Sequence, residues 1–315
     1  MNEIEVIQYP QIDDATVFLV TVDYRTPHLH REMELIWVID GALQLTCQQN
    51  QITVKAGEMV LFNRNQLHEF SKTDKSCTFI CIQVSPDFFS HSSSKMKHLF
   101  FEEILVKECM SEKEYIAFQK QVAEMVYCYL QQQSDYELYC VGQLQLIFYQ
   151  LLKSVPHHHL TQEQRTEQEK RNQRLQRLLK FVDENYTQKI CLSTFAKMEN
   201  RSLNYMSAFV KQSLGQTFQD YVNTVRFHCA CKLIRSADMR LLDVCMACGF
   251  SDYRYFSQTF KKKMGITPEQ YRQSDAAVEI DTVKTHHSVY TLEHFYTREQ
   301  SVKLLEAYGV IPLKS

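Results

Sequence analysis

The 315-residue sequence predicts an α+β protein: an N-terminal antiparallel β-barrel with flanking helices, followed by an all-α domain with two helix-turn-helix units. Three observations support this fold class. Short β-branched and aromatic segments occupy the first part of the chain, apolar residues then recur at three- and four-residue spacing, and the net charge reverses near residue 170. A chain of this length can form about two domains.

Strands are predicted over residues 15–24, 34–41, 42–63 and 77–85. These segments are rich in Val, Ile, Phe and Thr, and turn residues such as Gly41 and Gly57 separate them. Several short strands at this spacing are typical of an antiparallel barrel or a double-sheet jelly roll.

Helical spacing begins at about residue 98 and predicts two or three amphipathic helices, whose wide apolar faces cover either the barrel or a second subunit. Residues 156–173 are polar and poor in apolar side chains, which predicts an interdomain linker. The run His157 to His159 could bind a metal ion, but a solvated linker also accounts for it. The predicted divisions of the chain are 1–155, 156–173, 174–274 and a C-terminal extension over 275–315.

Charge is distributed unevenly along the chain. Residues 1–169 contain 13 Lys and Arg against 23 Asp and Glu, whereas residues 170–274 contain 18 against 8, so the net charges are −10 and +10. This asymmetry is expected for a polyanion-binding domain beside an unrelated one, because Lys and Arg that neutralise phosphates release counterions. If the basic segment contained no nucleic-acid-binding motif, a solvated charged face would be the better explanation of its net charge.

The composition excludes several classes of protein. There is no apolar run of about eighteen residues and no basic segment followed by an apolar one at the N-terminus, so we expect a cytoplasmic protein with no membrane partner. The eleven cysteines are odd in number and lie mostly in apolar runs, which favours reduced core residues. Cys245 and Cys248 form a C-x-x-C pair, but no second pair stands at zinc spacing, so redox or metal chemistry there is a minor alternative.

The basic segment contains one pattern twice, 49 residues apart. In each copy a short helix leads to a residue that tolerates positive φ, which is Asn200 in the first copy and Gly249 in the second. Ser202 and Ser251 follow as predicted N-caps of the next helix. The pattern therefore predicts two helix-turn-helix units joined by an amphipathic helix.

The second copy is the more specific one. Its sequence GFSDYRYFSQTFKKKMGITPEQYR (249–272) combines a turn glycine, a cap, aromatic anchors at Tyr255 and Phe256, a basic run and a Gly-x-Thr-Pro terminator. Residues 174–273 resemble the DNA-binding domain of the AraC/XylS family of transcription regulators, and residues 15–155 are similar to that family's cupin-type sensor and dimerisation helices. The resemblance implies two second helices in successive major-groove turns of double-stranded DNA, a homodimer, a small-molecule effector and contact with RNA polymerase.

The resemblance also implies DNA contacts on both second helices. Arg254 suits guanine and Gln258 suits adenine, whereas lysines suit phosphates. The predicted contact residues are Asn204, Ser207, Ala208, Lys211, Asp252, Tyr253, Arg254, Gln258, Lys261 and Lys262. Glu199 and Arg201 stand where the family has apolar turn residues, and Ala208 where a long basic side chain is common. The first unit is therefore expected to read bases weakly and to contribute mainly positioning.

The barrel segment resembles cupins. The spacing H-x-H-x-x-x-E over residues 28–34, followed by Gly41, resembles the first cupin motif. The sequence GEMVLFNRNQLHEF (57–70) resembles the second, with Asn63 where a proline is usual. Alternating histidines on a strand point to the same side, here into the barrel.

The candidate effector-binding residues are His28, His30, Glu34, Trp37 and His68. Trp37 is interpreted as core or pocket wall. The three histidines and the carboxylate could hold a divalent metal ion. The same positions could instead bind a small organic ligand, as in many sensory cupins, or be hydrogen-bonded core groups. No other cofactor is expected.

Three classes of function are compatible with these features. A ligand-responsive transcription regulator, an activator controlled by a small metabolite such as a sugar, explains the charge asymmetry, the repeat and the barrel together, and is not an enzyme. The alternatives are a metal-dependent cupin enzyme fused to a DNA-binding domain, and a constitutive DNA-binding protein whose barrel only dimerises. In residues 275–315, helical spacing at Leu292, Phe295, Val302 and Leu305 predicts a folded segment that could pack on the DNA-binding domain, seal the sensor or contact another subunit.

Overall fold

The computed structural model of the chain describes residues 7, 9–47, 50–90, 92–236, 239–264, 266–273 and 292–311. These residues form a curled sheet with helices packed against it, a helical region, and a C-terminal segment that returns to the sheet. The predicted α+β architecture is confirmed. Gly265 of the predicted terminator, residue 274, and residues 275–291 and 312–315 of the predicted extension lie outside the described residues. Across the described ranges, no helix has both the length and the apolar character needed to cross a membrane.

Most of the strands belong to one antiparallel sheet that forms a nearly closed barrel. The strands are β1 (Ala15–His28), β2 (Met33–Asp40), β3 (Ala42–Cys47), β4 (Asn50–Lys55), β5 (Met59–Phe62), β6 (His68–Lys72), β7 (Cys77–Val84), β8 (Leu99–Phe101), β9 (His157–His159) and β10 (Leu292–Phe295). The barrel order is β4-β3-β6-β1-β7-β2-β5, with β10 also paired to β1, whereas β8 and β9 pair only with each other. The strand β6 was not predicted, because its sequence HEFSK lacks a β-branched run.

The long strand β1 takes part in two sides of the barrel. Residues 15–22 pair with β7, and the segment from Tyr24 to His28 pairs with β6. The register shifts between Arg25 and His28, and such an irregularity bends a strand. The predicted turn at Gly41 is confirmed: its φ is +81°, and a Cβ there would lie 2.7 Å from the Ser76 carbonyl oxygen.

The side chains of β2 alternate between two apolar clusters. Met33, Leu35 and Trp37 contribute to the cluster shared with the flanking helices. Ile36 and Val38 contribute to the cluster inside the barrel. This alternation follows from the two-residue period of a strand, and it places each β2 side chain on a defined side of the sheet.

The helices are α1 (Glu112–Gln131), α2 (Tyr136–Ser154), α3 (Gln162–Asn185), α4 (Leu192–Met198), α5 (Leu203–Leu214), α6 (Phe218–Ser236), α7 (Leu241–Ala247), α8 (Tyr253–Met264), α9 (Pro268–Gln273) and α10 (Arg298–Ala307). The prediction of helix from residue 98 was wrong, because β8 and a short 3₁₀ helix occupy that segment. Ser111 and Glu114 form a capping box that starts α1. α1 and α2 pack on the outer face of the barrel.

The predicted linker is not irregular. Residues 157–159 form β9, and α3 begins behind a capping box made by Thr161 and Gln164. The predicted boundary at residue 173 therefore falls inside a continuous helix. Its buried residues begin only at Leu175, so the first half of α3 is a largely solvated helix whose polar composition resembles that of a linker.

The helical region has one apolar core, built on α6. Helices α4 and α5 pack on one part of it, and α7, α8 and α9 on another, with the second half of α3 closing the first unit. Tyr221 and Val222 of α6, Phe195 of α4, and Phe256 and Phe260 of α8 are fully buried in it. The two predicted helix-turn-helix units are thus present and share a rigid connecting helix.

The C-terminal segment folds onto the barrel. β10 pairs antiparallel with β1 from Val20 to Tyr24, and α10 packs against α1. Leu305 of α10 is fully buried in the outer core. The prediction that residues 292–311 are folded is confirmed, but the helical interpretation of Leu292 and Phe295 was wrong because both lie in the strand.

Candidate DNA-binding interface and effector site

The turn of the first unit has the predicted backbone conformation. Asn200 has a φ of +52°, and the amide of Arg201 donates to the Ala196 carbonyl at 3.0 Å. The predicted N-cap is confirmed, because the Ser202 hydroxyl accepts from the Tyr205 amide at 3.2 Å.

The turn of the second unit requires glycine for two reasons. Gly249 has a φ of +79°, and a Cβ on it would lie 2.6 Å from the Tyr186 carbonyl oxygen at the end of α3. The predicted N-cap Ser251 was wrong: α8 begins one residue later, and the Asp252 carboxylate accepts from the Tyr255 amide at 2.8 Å. The second turn is therefore one residue longer than the first.

Because of this extra residue, the sequences of α5 and α8 align when they are offset by 50 residues. The buried Met206 of α5 then corresponds to Phe256 of α8. The exposed positions correspond as well: Asn204 with Arg254, Ala208 with Gln258, and Lys211 with Lys261. Ser207 and Lys262 are also exposed, so eight of the predicted contact residues lie open to solvent on the two second helices.

Two predicted contact residues have structural partners. The Tyr253 hydroxyl donates to the Glu269 carboxylate of α9, and its ring packs on Phe256 at 5.6 Å. Asp252 is exposed but caps α8. Tyr253 thus packs against α9 and Asp252 caps α8, and the contact of either residue with bases stays a prediction.

The aromatic anchors were predicted in part. Phe256 is fully buried, as predicted. Tyr255 is 42% exposed, and its hydroxyl accepts from the Asn223 amide at 2.7 Å. Its counterpart Tyr205 is equally exposed, and its hydroxyl accepts from Arg174 at 2.8 Å. Tyr255 therefore links α8 to α6, and Tyr205 links α5 to α3, and neither side chain fills the core.

An ion-pair group on α3 was not predicted. Glu199, at the end of α4, accepts hydrogen bonds from Arg177 Nε at 2.6 Å and from Arg174 Nε at 3.2 Å. The hydrogen bond from Arg177 lowers the pKa of Glu199 and outweighs the effect of burial. The acidic residue in the turn, which departs from the family pattern, thus joins the first unit to α3. The sequence signal was the basic spacing R-x-x-R in α3.

The predicted effector residues converge inside the barrel. The imidazoles of His28, His30 and His68 are buried, and one nitrogen from each lies within 4.8 Å of the others. Glu34 Oε2 lies 3.1 Å from His68 Nε2 and 3.5 Å from His30 Nε2. Strands β1, β2 and β6 and the loop after β1 bring these four side chains together.

Glu34 is held from the opposite side by β7. Its Oε1 accepts from Gln83 Nε2 at 2.8 Å and from the Cys81 thiol at 2.9 Å. Burial opposes ionisation of Glu34, but the charge and hydrogen bonds of His30 and His68 outweigh it and hold the carboxyl pKa well below its usual range. A buried carboxylate thus faces the cluster.

His28 is engaged by a residue that was not predicted. Arg25 Nε donates to His28 Nε2 at 2.9 Å, and His28 Nδ1 lies 2.8 Å from the Thr26 carbonyl oxygen, to which it donates in the neutral form. Burial, and then the charge of Arg25, lower the pKa of His28. Burial also lowers the pKa of His68. With both nitrogens of His28 hydrogen-bonded, a metal ion fits His30, His68 and Glu34 better than a site that includes His28.

Trp37 does not belong to this cluster. It lies on the face of β2 opposite to Glu34 and is buried against the flanking helices. An odd separation along a strand places two side chains on opposite faces. The interpretation of Trp37 as a core residue is therefore confirmed, and its assignment to the effector pocket was wrong.

The barrel contacts the helical region next to the cluster. Tyr24 of β1 stacks on His228 of α6 with ring centroids 3.5 Å apart, and the Tyr24 hydroxyl donates to Glu69 at 2.6 Å. Leu29 and Leu67 are buried in the core of the helical region. These residues flank His28 and His68 in the sequence, so the segments that form the cluster also form the interdomain contact.

Comparison with known proteins matches both parts of the chain. A model of the AraC-like ligand binding domain matches residues 20–179, and a model of the helix-turn-helix domain matches residues 195–274. The HTH-type transcriptional activator RhaS of Klebsiella pneumoniae (strain 342) is 24% identical over 273 residues, which cover 84% of this chain and 95% of RhaS. The HTH-type transcriptional regulator YdeC of Bacillus subtilis (strain 168) is 24% identical over 258 residues, which cover 79% and 86%.

Solved structures are similar over different parts of the chain. ToxT from Vibrio cholerae covers 82% of this chain and 97% of its own, with 13% identity and a TM-score of 0.39. The C-terminal domain of the response regulator yesN from Fusobacterium nucleatum covers 31% of this chain and 96% of its own, with 31% identity and a TM-score of 0.30. Since the ligand-binding model alone spans more than half of the sequence, the chain belongs to the AraC family of transcription regulators, with an N-terminal ligand-binding domain and a C-terminal helix-turn-helix domain.

Proposed function

We propose that this protein is a transcriptional activator that reads DNA with α5 and α8 and responds to a small metabolite bound at the polar cluster in the barrel. The observation that carries the proposal is the equivalence of the exposed faces of α5 and α8 on a single rigid core. The proposed place of action of this DNA-binding protein is the cytoplasm. Activation, and the contact with RNA polymerase that activation requires, are supported by the similarity to RhaS, which is named as an activator.

The two second helices differ in the side chains that they offer to bases. α8 presents Arg254 and Gln258, which can form bidentate hydrogen bonds to guanine and adenine. α5 presents Asn204 and Ala208 at the corresponding positions, and the alanine offers only a methyl group. We infer that α8 provides most of the base discrimination and that α5 mainly fixes the register on the phosphate backbone.

Selection of bound sequences from a random DNA library by the full-length protein, at a stated salt concentration, tests this function. One well-defined block of bases with a weaker block about 34 Å away would support the assignment. Two equally defined blocks would show that α5 also reads bases. Absence of any enriched sequence, with and without candidate metabolites, would contradict the proposal.

For the effector, we propose binding among His28, His30, Glu34 and His68. Imidazoles and a carboxylate offer donors and acceptors that suit the hydroxyl groups of a sugar-like metabolite. Replacement of His30 or Glu34 should abolish the response of DNA binding to the effector without loss of folding. An unchanged response in both variants would remove these residues from the site, and a lack of any response in the native protein would favour the constitutive alternative.

A divalent metal site is the second candidate, and the convergence of Glu34 Oε2 with His68 Nε2 and His30 Nε2 favours it. Metal analysis of the purified chain decides between the two. About one equivalent of metal per chain, lost in Glu34→Gln, would support a metal centre, and turnover of a substrate would then be required to support the enzyme alternative. Metal-free protein that still binds DNA in response to a metabolite would eliminate the metal site.

We further propose a homodimer formed through α2. Leu138, Leu146 and Tyr149 of this helix are 78%, 52% and 59% exposed, and Tyr139 is 41% exposed. A run of large exposed apolar side chains on one helix is typical of a protein interface.

A further inference from the structure

The C-terminal segment contributes side chains to the barrel interior. β10 pairs with β1 from Val20 to Tyr24, and the Tyr296 hydroxyl lies 2.8 Å from Thr21 Oγ1. Phe295 packs on Phe18 with ring centroids 5.5 Å apart and joins the apolar cluster inside the barrel. The segment is therefore part of the wall and the interior of the barrel, although the flanking helices and the whole helical region separate it from the other barrel strands in the sequence.

The segment also supplies a buried carboxylate. Arg25 Nη1 donates to both oxygens of Glu293, at 2.7 and 2.9 Å, and the two side chains are only 7% and 4% exposed. A desolvated guanidinium is stable only with an anion at hydrogen-bond distance, and its planar set of donors matches a carboxylate. Arg25 is thus a built carboxylate-binding position.

This position is connected directly to the candidate effector site. Arg25 Nε donates to His28 Nε2 at 2.9 Å, and the ring of His28 lies 4.1 Å from that of His68. A ligand that reached the cluster and carried a carboxylate could therefore bind Arg25 with one end while it contacted the imidazoles with the other. The carboxylate of such a ligand would need the place beside Arg25 Nη1 that the Glu293 carboxylate now occupies.

We propose that Arg25 binds the carboxylate of the effector, and that Glu293 of the C-terminal segment is an internal competitor that holds this position when the effector is absent. The proposal rests on the proposed effector-responsive function and assigns the effector to the carboxylic acids. Because the ligand carboxylate is proposed to take the same Nη1 donor that Glu293 now occupies, ligand binding displaces β10 from β1. The C-terminal segment is then the element whose two arrangements the effector selects between.

Chemical rescue of a full-length Glu293→Ala variant tests the carboxylate site with acetate as the probe. The variant leaves Arg25 buried without this carboxylate, so its thermal midpoint should fall by several degrees. Acetate should raise that midpoint saturably by about 3 °C. Acetamide, which has the same shape without the charge, should not raise it at equal ionic strength. Equal effects of acetate and acetamide would overturn the proposal.

Two controls separate the site from general effects of salt and of the segment. Glu299→Ala removes an exposed carboxylate from the same segment and should show neither the loss nor the rescue. The double variant Arg25→Gln/Glu293→Ala should lose the acetate response, and persistence of the response there would place acetate elsewhere and contradict the proposal.

The competition between acetate and Glu293 for Arg25 is measured in the native protein. Acetate should increase the hydrogen-exchange rates of the amides of residues 292–296 at least about threefold while those of β7 stay unchanged, because the ligand binds the state in which β10 is undocked. Unchanged exchange of β10 at saturating acetate would refute the competition. None of these measurements uses DNA, so their failure is distinguishable from failure of the DNA-binding function, which the library selection tests.

Discussion

At the scale of single residues, two positions with left-handed backbone conformation set the angle of each helix-turn-helix unit. Asn200 and Gly249 have φ values of +52° and +79°. Asparagine suffices in the first turn, whereas in the second the backbone passes so close to Tyr186 that no side chain fits. The sequence therefore encodes the same turn by two residue types, for physically different reasons.

Gly249→Ala should destabilise α7 and α8. The positive φ costs an alanine about 1–2 kcal/mol, and the contact of 2.6 Å with the Tyr186 carbonyl oxygen adds to this. Hydrogen exchange of the α7 and α8 amides measures the effect locally. Gly309→Ala is the matched control, since Gly309 has a φ of +68° but open space around its Cβ position, so the amides of α10 should show only the smaller cost of the conformation. Equal increases in exchange at the two sites would show that the contact between an alanine Cβ at position 249 and the Tyr186 carbonyl oxygen costs no stability.

Glu199 gives the contact between α3 and the first unit a pH dependence. Its pKa is lowered in the folded state, so its contribution to stability is fully present above the unfolded-state pKa of about 4.3 and is lost as the pH falls through the folded-state value. Native protein should therefore be more stable than Glu199→Gln at pH 7, and the difference should shrink below about pH 4. Denaturant unfolding at a series of pH values measures it. The exposed Glu184, paired with Lys180, gives the control Glu184→Gln, for which little difference is expected at any pH.

At the scale of elements, sequence patterns predicted the strands with β-branched runs and both helix-turn-helix units, because apolar periodicity and turn residues act locally. They failed for β6, for β8 and for β10, whose residues become strands only by pairing with partners distant in the chain. The four side chains of the polar cluster, His28, His30, Glu34 and His68, were predicted from their spacing, but Arg25 was not. Its role depends on Glu293, 268 residues away, and no local pattern reports such a pair.

Two kinds of DNA contact on α8 should respond differently to substitution. Arg254→Ala on α8 removes a candidate base contact, so it should cost about 1–3 kcal/mol at the selected site and relax the preference at one base position. Lys261→Ala removes a candidate phosphate contact, so it should weaken binding to all sequences alike and reduce the salt slope by about one. Titration of selected and scrambled DNA at several salt concentrations distinguishes the two. Loss of affinity by Arg254→Ala that is equal on both DNAs would exclude Arg254 from base reading.

At the scale of the whole molecule, β1 contacts both the helical region and the C-terminal segment. The Tyr24–His228 stack lies beside the polar cluster, and β10 pairs with β1 from Val20 to Tyr24. Both contacts involve β1, which also carries Arg25 and His28. A change at the proposed effector site would therefore act on a single strand that touches both the helical region and the C-terminal segment, and we propose this as the physical basis on which a ligand in the barrel alters DNA binding.

In the proposed homodimer, the exposed apolar side chains of α2 form the interface between the two copies. Leu146→Glu would place a charge in the centre of that surface, where burial without a partner is unfavourable, so the dimer should dissociate at least about tenfold more readily. Sedimentation velocity over a range of protein concentrations measures this. Leu242→Glu on α7 is the matched control, because Leu242 is 54% exposed and Leu146 is 52% exposed, but Leu242 lies outside the barrel domain.

Since two copies on one DNA site bind with the effective concentration that the dimer provides, Leu146→Glu should also weaken binding to paired sites more than to single sites. A native protein that sediments as a monomer at micromolar concentration, or a dimer that Leu146→Glu leaves intact while Leu242→Glu dissociates it, would move the interface away from α2.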